Sequence, residues 1–297
     1  MSEPVKLTQP RVVVAIPCYN EDRFIGSVVL KAREFADRVI VVDDGSTDDT
    51  ARIAEAAGAL VIRHEVNKGK GMAMNTAFQW AKENGAQVMV MFDGDGQHDP
   101  EQIPSVLKPV LEDKVDVSLG TRFLYARSDI PGYRVIGQRI LTLITNIGSG
   151  VKVTDTQSGF RVFSRKSIEI LSFRHKGVGD VECEMQFLIK EHDLKVAEVS
   201  IVANYDEKVK RNPAAQGMSN VSAVLTLVSE RRPLFFFGLS GFILVVIGFI
   251  IGIRGLYIFS IDGGLALGSI LIAVLLLIIG VFSIFTGVIL NILRKKG

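Results

Sequence analysis

The chain has 297 residues, a formal net charge of +2 and a hydrophobic fraction of 48%. That length allows one large domain or a domain with an appendage. The near-neutral balance singles out no polyanionic partner, and no nucleic acid is expected. Cys18 and Cys183 are the only cysteines, too few for a disulfide framework, and no Cys/His spacing suggests zinc.

Met1 to Pro10 is polar and lacks the apolar core of a signal peptide. Short β-branched or apolar runs then alternate with helical patterns. Strands are expected at Val12–Ile16, Val39–Val42, Leu60–Arg63, Val88–Phe92, Val115–Leu119 and Lys195–Val199. Helices are expected at Arg23–Phe35, Asp48–Ala57, Lys70–Asn84, Glu101–Leu111, Arg134–Ile147, Ser164–Leu171 and Val181–His192. This β-α alternation argues for an α/β fold, a mostly parallel sheet with helices on both faces. The Arg134–Ile147 segment is amphipathic and suits either a core helix or a membrane surface. Asn204–Gly217 is polar and turn-rich, and reads as a loop.

From Leu234 to Ile253, and again from Gly263 to Leu293, no residue is charged. Each run reaches the ~20 residues that cross a ~30 Å hydrocarbon core. The flanks Glu230-Arg231-Arg232 and Arg294-Lys295-Lys296 are basic overall, whereas Arg254 and Asp262 are the only charges between them. The positive-inside rule therefore predicts an integral membrane protein of two spans, with both termini and the polar domain cytoplasmic. The expected divisions are a domain at 1–218, a juxtamembrane amphipathic segment at 219–233 and a two-helix hairpin at 234–293. The sequon Asn220-Val221-Ser222 would then sit on the cytoplasmic side, where it is a chance match.

The chemistry gathers where strands end. Val88–Phe92 runs into Asp93-Gly94-Asp95-Gly96-Gln97-His98, with two carboxylates two residues apart. Hard divalent cations such as Mg²⁺ and Mn²⁺ take oxygen ligands, one or two carboxylates plus substrate phosphates. Val39–Val42 leads likewise into Asp43-Asp44-Gly45-Ser46-Thr47-Asp48, and Val12–Ile16 into Pro17-Cys18-Tyr19-Asn20-Glu21. In an open α/β sheet ligands bind beyond the carboxyl ends of the strands. Three polar strand ends converging there point to a nucleotide site. Lys70 stands between two glycines at a helix start, where backbone N–H groups and a cation suit a phosphate.

Together, Pro17-Cys18-Tyr19-Asn20-Glu21, Val41-Val42-Asp43-Asp44-Gly45-Ser46-Thr47-Asp48, Asn67-Lys68-Gly69-Lys70-Gly71-Met72-Ala73 and Asp93-Gly94-Asp95-Gly96-Gln97-His98 closely resemble glycosyltransferase family 2. Gly120-Thr121-Arg122 and Asp155-Thr156-Gln157-Ser158-Gly159-Phe160-Arg161 look like its dolichol-phosphate mannose synthase branch. The resemblance covers roughly residues 11 to 233. It implies a GT-A fold, a nucleotide-sugar donor, Mg²⁺ or Mn²⁺, and a polyprenyl or dolichyl phosphate as acceptor. Residue by residue, Pro17, Tyr19 and Glu21 would line the base and ribose pocket, Asp44 would accept hydrogen bonds from the base, and Lys70 would meet a phosphate. Asp93, Asp95 and Gln97 would form the metal site, with Asp95 in direct contact and Asp93 also touching sugar or ribose. Asp155 and Gln157 would lie near the acceptor, and His98 is read as structural. The two spans here look like those of the family's bacterial and archaeal membrane-anchored members.

A lipid phosphate is already anionic near neutral pH, so its attack needs no general base. It needs cations, because Coulomb repulsion between two phosphate groups at ~4–5 Å is several kcal/mol at an effective dielectric near 20. Arg122 and Arg134 are the candidates to hold it, with Arg139, Arg161 and Arg211 behind them. Glu182 and Glu184 read as solvated helix charges. A processive polysaccharide synthase would carry Gln-x-x-Arg-Trp, but the only tryptophan, Trp80, falls inside a helix. A nucleotidyltransferase would carry a Gly-rich loop where Pro17-Cys18-Tyr19-Asn20-Glu21 stands. A transferase with a different membrane acceptor, or a non-catalytic membrane scaffold, remains as the alternative. The sugar, and the choice among UDP-glucose, UDP-N-acetylglucosamine and GDP-mannose, is left open, as is assembly into homo-oligomers.

Overall fold

A computed structural model of the protein describes residues 11–124, 132–173, 181–203, 222, 225–226, 228–262, 264 and 267–296. The chain divides into two compact units, Met1–Val224 and Leu225–Gly297. The expected loop at 204–217, and with it Arg211, lies outside the described residues.

The first unit is built on strands β1 (Val12–Cys18), β2 (Arg38–Asp43), β3 (Leu60–Arg63), β4 (Val88–Met91), β5 (Val117–Thr121), β6 (Arg161–Ser164) and β7 (Val196–Ser200). They form a seven-stranded sheet in the order β3-β2-β1-β4-β6-β5-β7. β1 to β4 pair in parallel, β5 pairs in parallel with β7, and β6 runs antiparallel between β4 and β5. The helices between them are α1 (Ile25–Ala32), α2 (Thr50–Ala56), α3 (Lys70–Glu83), α4 (Ile103–Leu111), α5 (Gly132–Ser149), α6 (Arg165–Ile170) and α7 (Val181–Glu191).

Strand alternation explains why the strand sequences are continuously apolar. Val13, Ala15, Ile40, Val42, Met89 and Met91 face one side, packed with Ala73, Ala77 and Phe78 of α3 and Met185 of α7. Val14, Ile16, Val39, Val41, Val88 and Val90 face the other, against Ile25 and Val29 of α1 and Val106 of α4. A sheet covered on both faces buries every residue of a strand. All the polar chemistry is thereby pushed to the strand ends.

Strand β6 was not expected from the sequence. Its four residues, Arg161-Val162-Phe163-Ser164, are too short for a period, and they open on a charged residue that is only 2% exposed. Helix α5 reverses the usual polarity of an amphipathic helix. Ile136, Ile140, Leu143 and Ile147 point outward, while Thr142, Thr145 and Ser149 are buried. Of the two uses its sequence suited, the core helix does not fit this arrangement.

The second unit is a pair of 30-residue helices, α8 (Pro233–Asp262) and α9 (Leu267–Lys296). Both are long and apolar enough to cross a membrane. Their seam is made of glycine. A Cβ at Gly241 would lie 2.5 Å from the Gly280 carbonyl oxygen, and one at Gly280 would lie 2.7 Å from that of Gly241. Gly287 approaches the Pro233 carbonyl similarly, and the Ser283 hydroxyl donates to the Phe237 carbonyl at 2.8 Å. Small residues let apolar helices touch backbone to backbone where lipid offers no hydrophobic drive. Gly280→Leu should therefore force the helices apart at a cost of about 1–3 kcal/mol. Ser283→Ala should cost only about 0.6 kcal/mol. Thermal unfolding of the detergent-solubilised full chain checks the order; equal melting temperatures for Gly280→Leu and wild type would contradict it.

Candidate functional site

The loops after β1 and β2 are stitched to each other. Asn20, at φ 57°, donates its amide to Ser46 Oγ at 2.9 Å, and its side-chain oxygen accepts from the Thr47 amide at 2.9 Å. The Glu21 amide donates to Thr50 Oγ1 at 2.8 Å. Asp43 accepts from the Ser46 amide and pairs with Arg63 at 3.1 Å. Pro17 is buried within β1, Tyr19 is exposed, and Glu21 is half-buried.

Asp44 is 3% exposed and heavily engaged. Its Oδ1 meets His64 Nδ1 at 2.7 Å and the Lys68 amide at 2.9 Å, and its Oδ2 accepts from the Gly69 amide at 2.8 Å. A carboxylate has about four acceptor directions, so three are in use and one remains. Capping of α2, the simple alternative for Asp44, falls instead to Asp48, which accepts from the Thr50 amide at 3.0 Å. His64 was missed in the sequence, where a single histidine after a strand carries no periodic signal.

Gly69 takes φ 91° and α3 begins at Lys70. The Lys70 ammonium reaches across to β4's end, pairing with Asp93 Oδ1 at 2.6 Å and also with Glu182 in the first turn of α7. Burial alone would lower the Lys70 pKa, but Asp93 and Glu182 override it and hold the amine charged above its ordinary value. Glu182 is thus a partner of the site's lysine, not the solvated charge expected. Glu184, two residues on, is buried.

Asp95 sits beside this cluster, its Oδ1 accepting from the Gln97 amide at 3.0 Å. Burial, then the Asp93 charge, raises its pKa to about 6. Among the described residues no three His, Cys, Asp or Glu side chains converge as a closed metal cage. Two adjacent carboxylates with Gln97 fit an Mg²⁺ or Mn²⁺ ion that completes its shell from water and substrate phosphates. His98 is buried against Phe160, and burial lowers its pKa to about 4, so it is neutral. Its backbone bridges Ala203.

The loop before β6 closes the site from the other side. A Cβ at Gly159 would lie 2.6 Å from Asp93 Oδ2, so a larger residue there would have to displace the Asp93 carboxylate. A small cleft of about 10 Å³ lies here, lined by Lys70, Asp93, Gly159, Arg161 and Glu182 with Met74, Met91 and Met185. Arg161 is buried and donates to the Ser158, Thr156 and Glu182 carbonyls. Gln157 donates to Cys183 Sγ at 3.0 Å.

Arg122, a candidate to hold the lipid phosphate, follows β5 directly. It is 6% exposed, and its Nε and Nη2 grip Asp155 at 2.7 and 2.8 Å in a two-pronged pair. Asp155 is fully buried, and its Oδ1 also accepts from the Gln157 amide. The pair ties the end of β5 to the loop before β6. Arg134 lies in the first turn of α5, but its side chain is outside what is described. Arg139, on the same helix, is exposed, with its guanidinium 6.0 Å from the Phe123 ring.

The profile of glycosyl transferase family 2 matches residues 13–171. The UDP-N-acetylglucosamine–dolichyl-phosphate N-acetylglucosaminyltransferase of Methanococcus voltae is 33% identical over 217 residues, covering 66% of this chain and 86% of that protein. The undecaprenyl-phosphate mannosyltransferase of Micrococcus luteus is 29% identical over 209 residues, covering 64% and 82%. Among solved structures, glucosyl-3-phosphoglycerate synthase of Mycobacterium tuberculosis, in complex with Mn²⁺, UDP and glucosyl-3-phosphoglycerate, shares the fold with a TM-score of 0.56. It is 24% identical and covers 74% of this chain and 79% of that one. The sheet is that of a GT-A domain, and the chain belongs to glycosyltransferase family 2.

Proposed function

We propose that the protein is a membrane-anchored, inverting glycosyltransferase that moves a hexose from a nucleotide sugar to a polyprenyl or dolichyl phosphate. The observation that carries this is the cluster of Asp93, Asp95, Lys70 and Gly159, where metal-ligand carboxylates, a cation and the loop before β6 meet at one edge of the sheet. The two relatives named for polyprenyl-type phosphate acceptors support the acceptor class. UDP-glucose, UDP-N-acetylglucosamine and GDP-mannose are the donors to test.

Pro17, Tyr19, Glu21 and Asp44 would form the base and ribose end, with Asp44's one remaining acceptor direction turned to the base. Asp93 and Asp95, with Gln97, would hold Mg²⁺ or Mn²⁺, which when bound neutralises charge developing on the diphosphate. Lys70 would exchange a carboxylate partner for a phosphate oxygen, keeping its charge throughout. An oxygen of the lipid phosphate attacks the anomeric carbon in line, the bond to the nucleoside diphosphate breaks, and the configuration inverts. No proton has to be removed from the nucleophile. Arg134 would meet the acceptor phosphate. Arg122 and Asp155, buried and mutually paired, position the 155–159 turn and reach the acceptor through it, together with Gln157.

Two candidate spans and the outward apolar row of α5 support a site working at a bilayer; the basic flanks of the spans support cytoplasmic termini. Anchoring concentrates a lipid acceptor without adding a catalytic contact. A row of isoleucine and leucine on a helix suits the headgroup–acyl boundary.

The test of the reaction is transfer of label from each of the three donors into organic-extractable polyprenyl phosphate, with Mn²⁺ and with EDTA. Label should enter lipid only with metal, from one donor; label from none would contradict the reading. Gly159→Ala should displace Asp93 by tenths of an ångström and slow transfer by up to about 100-fold. The same variant should melt within a few degrees of wild type, and unchanged transfer would show that the close approach does not matter. Leu143→Glu should weaken transfer to an acceptor embedded in vesicles while leaving a short-chain, water-soluble acceptor unaffected. Equal loss with both acceptors would place α5 away from the bilayer.

A further inference from the structure

Three strand and helix ends surround the 67–69 turn, and one buried polar chain joins them. The register of β2 and β3 pairs Asp43 with Arg63, so the next residues, Asp44 and His64, emerge side by side. The His64 amide donates to the Asp43 carbonyl at 2.9 Å, fixing the histidine's backbone. His64 is 8% exposed. Its Nδ1 lies 2.7 Å from Asp44 Oδ1 and its Nε2 lies 2.9 Å from the Thr76 hydroxyl, two turns into α3.

The chemistry of the ends assigns the middle. An ionised carboxylate only accepts, so Nδ1 carries the proton toward Asp44. Nε2 meets the Thr76 hydroxyl, which can either donate or accept. The ring is held at both nitrogens and cannot turn. Asp44 in turn is held with its two oxygens aimed at two consecutive amides, Lys68 and Gly69. Gly69 is the left-handed residue that starts α3, and the next residue is Lys70, whose ammonium holds Asp93.

We infer that His64 is a positioning residue for the nucleotide-sugar end of the site. It acts through Asp44, setting the 67–69 turn and hence the place from which Lys70 reaches its anionic partners. This deepens the reading of a nucleotide-sugar donor and rests on it for the kinetic arm alone. Removing the ring frees the carboxylate to rotate and leaves the half-buried Thr76 hydroxyl without its ring partner.

The test uses the full chain in detergent with three variants: His64→Ala; His64→Asn, which keeps an N–H toward Asp44; and Thr76→Val, which keeps shape and removes the hydroxyl. Two quantities are read. Amide hydrogen exchange over residues 67–70 needs no substrate. His64→Ala should speed it there and leave β1 and β4 protected, and His64→Asn should restore most of the protection. In transfer assays His64→Ala should raise the donor KM by about tenfold, the worth of one charge-assisted hydrogen bond. kcat and the acceptor KM should stay within about twofold. Thr76→Val should show a smaller shift of the same kind. Exchange over 67–70 unchanged in His64→Ala would overturn the inference, as would donor and acceptor KM rising together, or His64→Asn as impaired as His64→Ala. Absence of transfer by wild type would count against the donor reading, while the exchange data would still decide the role of His64.

Discussion

Negative charge crowded at one edge of a sheet is the constraint that the catalytic half of this chain must satisfy. Asp43, Asp44, Asp93, Asp95 and Glu182 all fall near strand or helix ends on that edge, most of them half-buried or deeper. Asp95 shows the cost of such crowding, its proton affinity raised first by burial and then by the Asp93 charge. The fold answers each differently. Asp44 is given three hydrogen-bond donors, Asp43 an arginine and a serine amide, and Asp93 and Glu182 share Lys70. Asp95 has the weakest support, a single backbone amide, that of Gln97.

The loop before β6 depends on the same edge through contact, not charge. Gly159 lets the loop before β6 lie against Asp93, and the Arg122–Asp155 pair anchors that loop to β5. A buried ion pair of this kind contributes little net stability against a well-packed apolar pair, but breaking it by losing one partner costs several kcal/mol. Its worth is in fixing one arrangement of two chain segments.

Much of this was legible in the sequence because both sheet faces are covered. Unbroken apolar runs located β1, β2 and β4, and the polar residues after each run gather at one edge of the sheet. The start of α3 at Lys70 was marked by the flanking glycines. What escaped notice was pairing between distant segments. Nothing local says that Arg122 turns inward to Asp155, that Glu182 comes from α7 to share Lys70, or that His64 stands beside Asp44. Strand β6 escaped because four residues beginning with a buried arginine give no period to read. The outward apolar row of α5 was visible as amphipathicity, but its direction required the fold.

The central claim is that the edge formed by Asp93, Asp95 and Lys70 binds a metal–diphosphate. Calorimetric titration of the full chain with UDP and with GDP, each in Mn²⁺ and in EDTA, tests it most directly. The account predicts saturable binding of one nucleotide in Mn²⁺ that is lost in EDTA. Binding of equal strength in both conditions would contradict it.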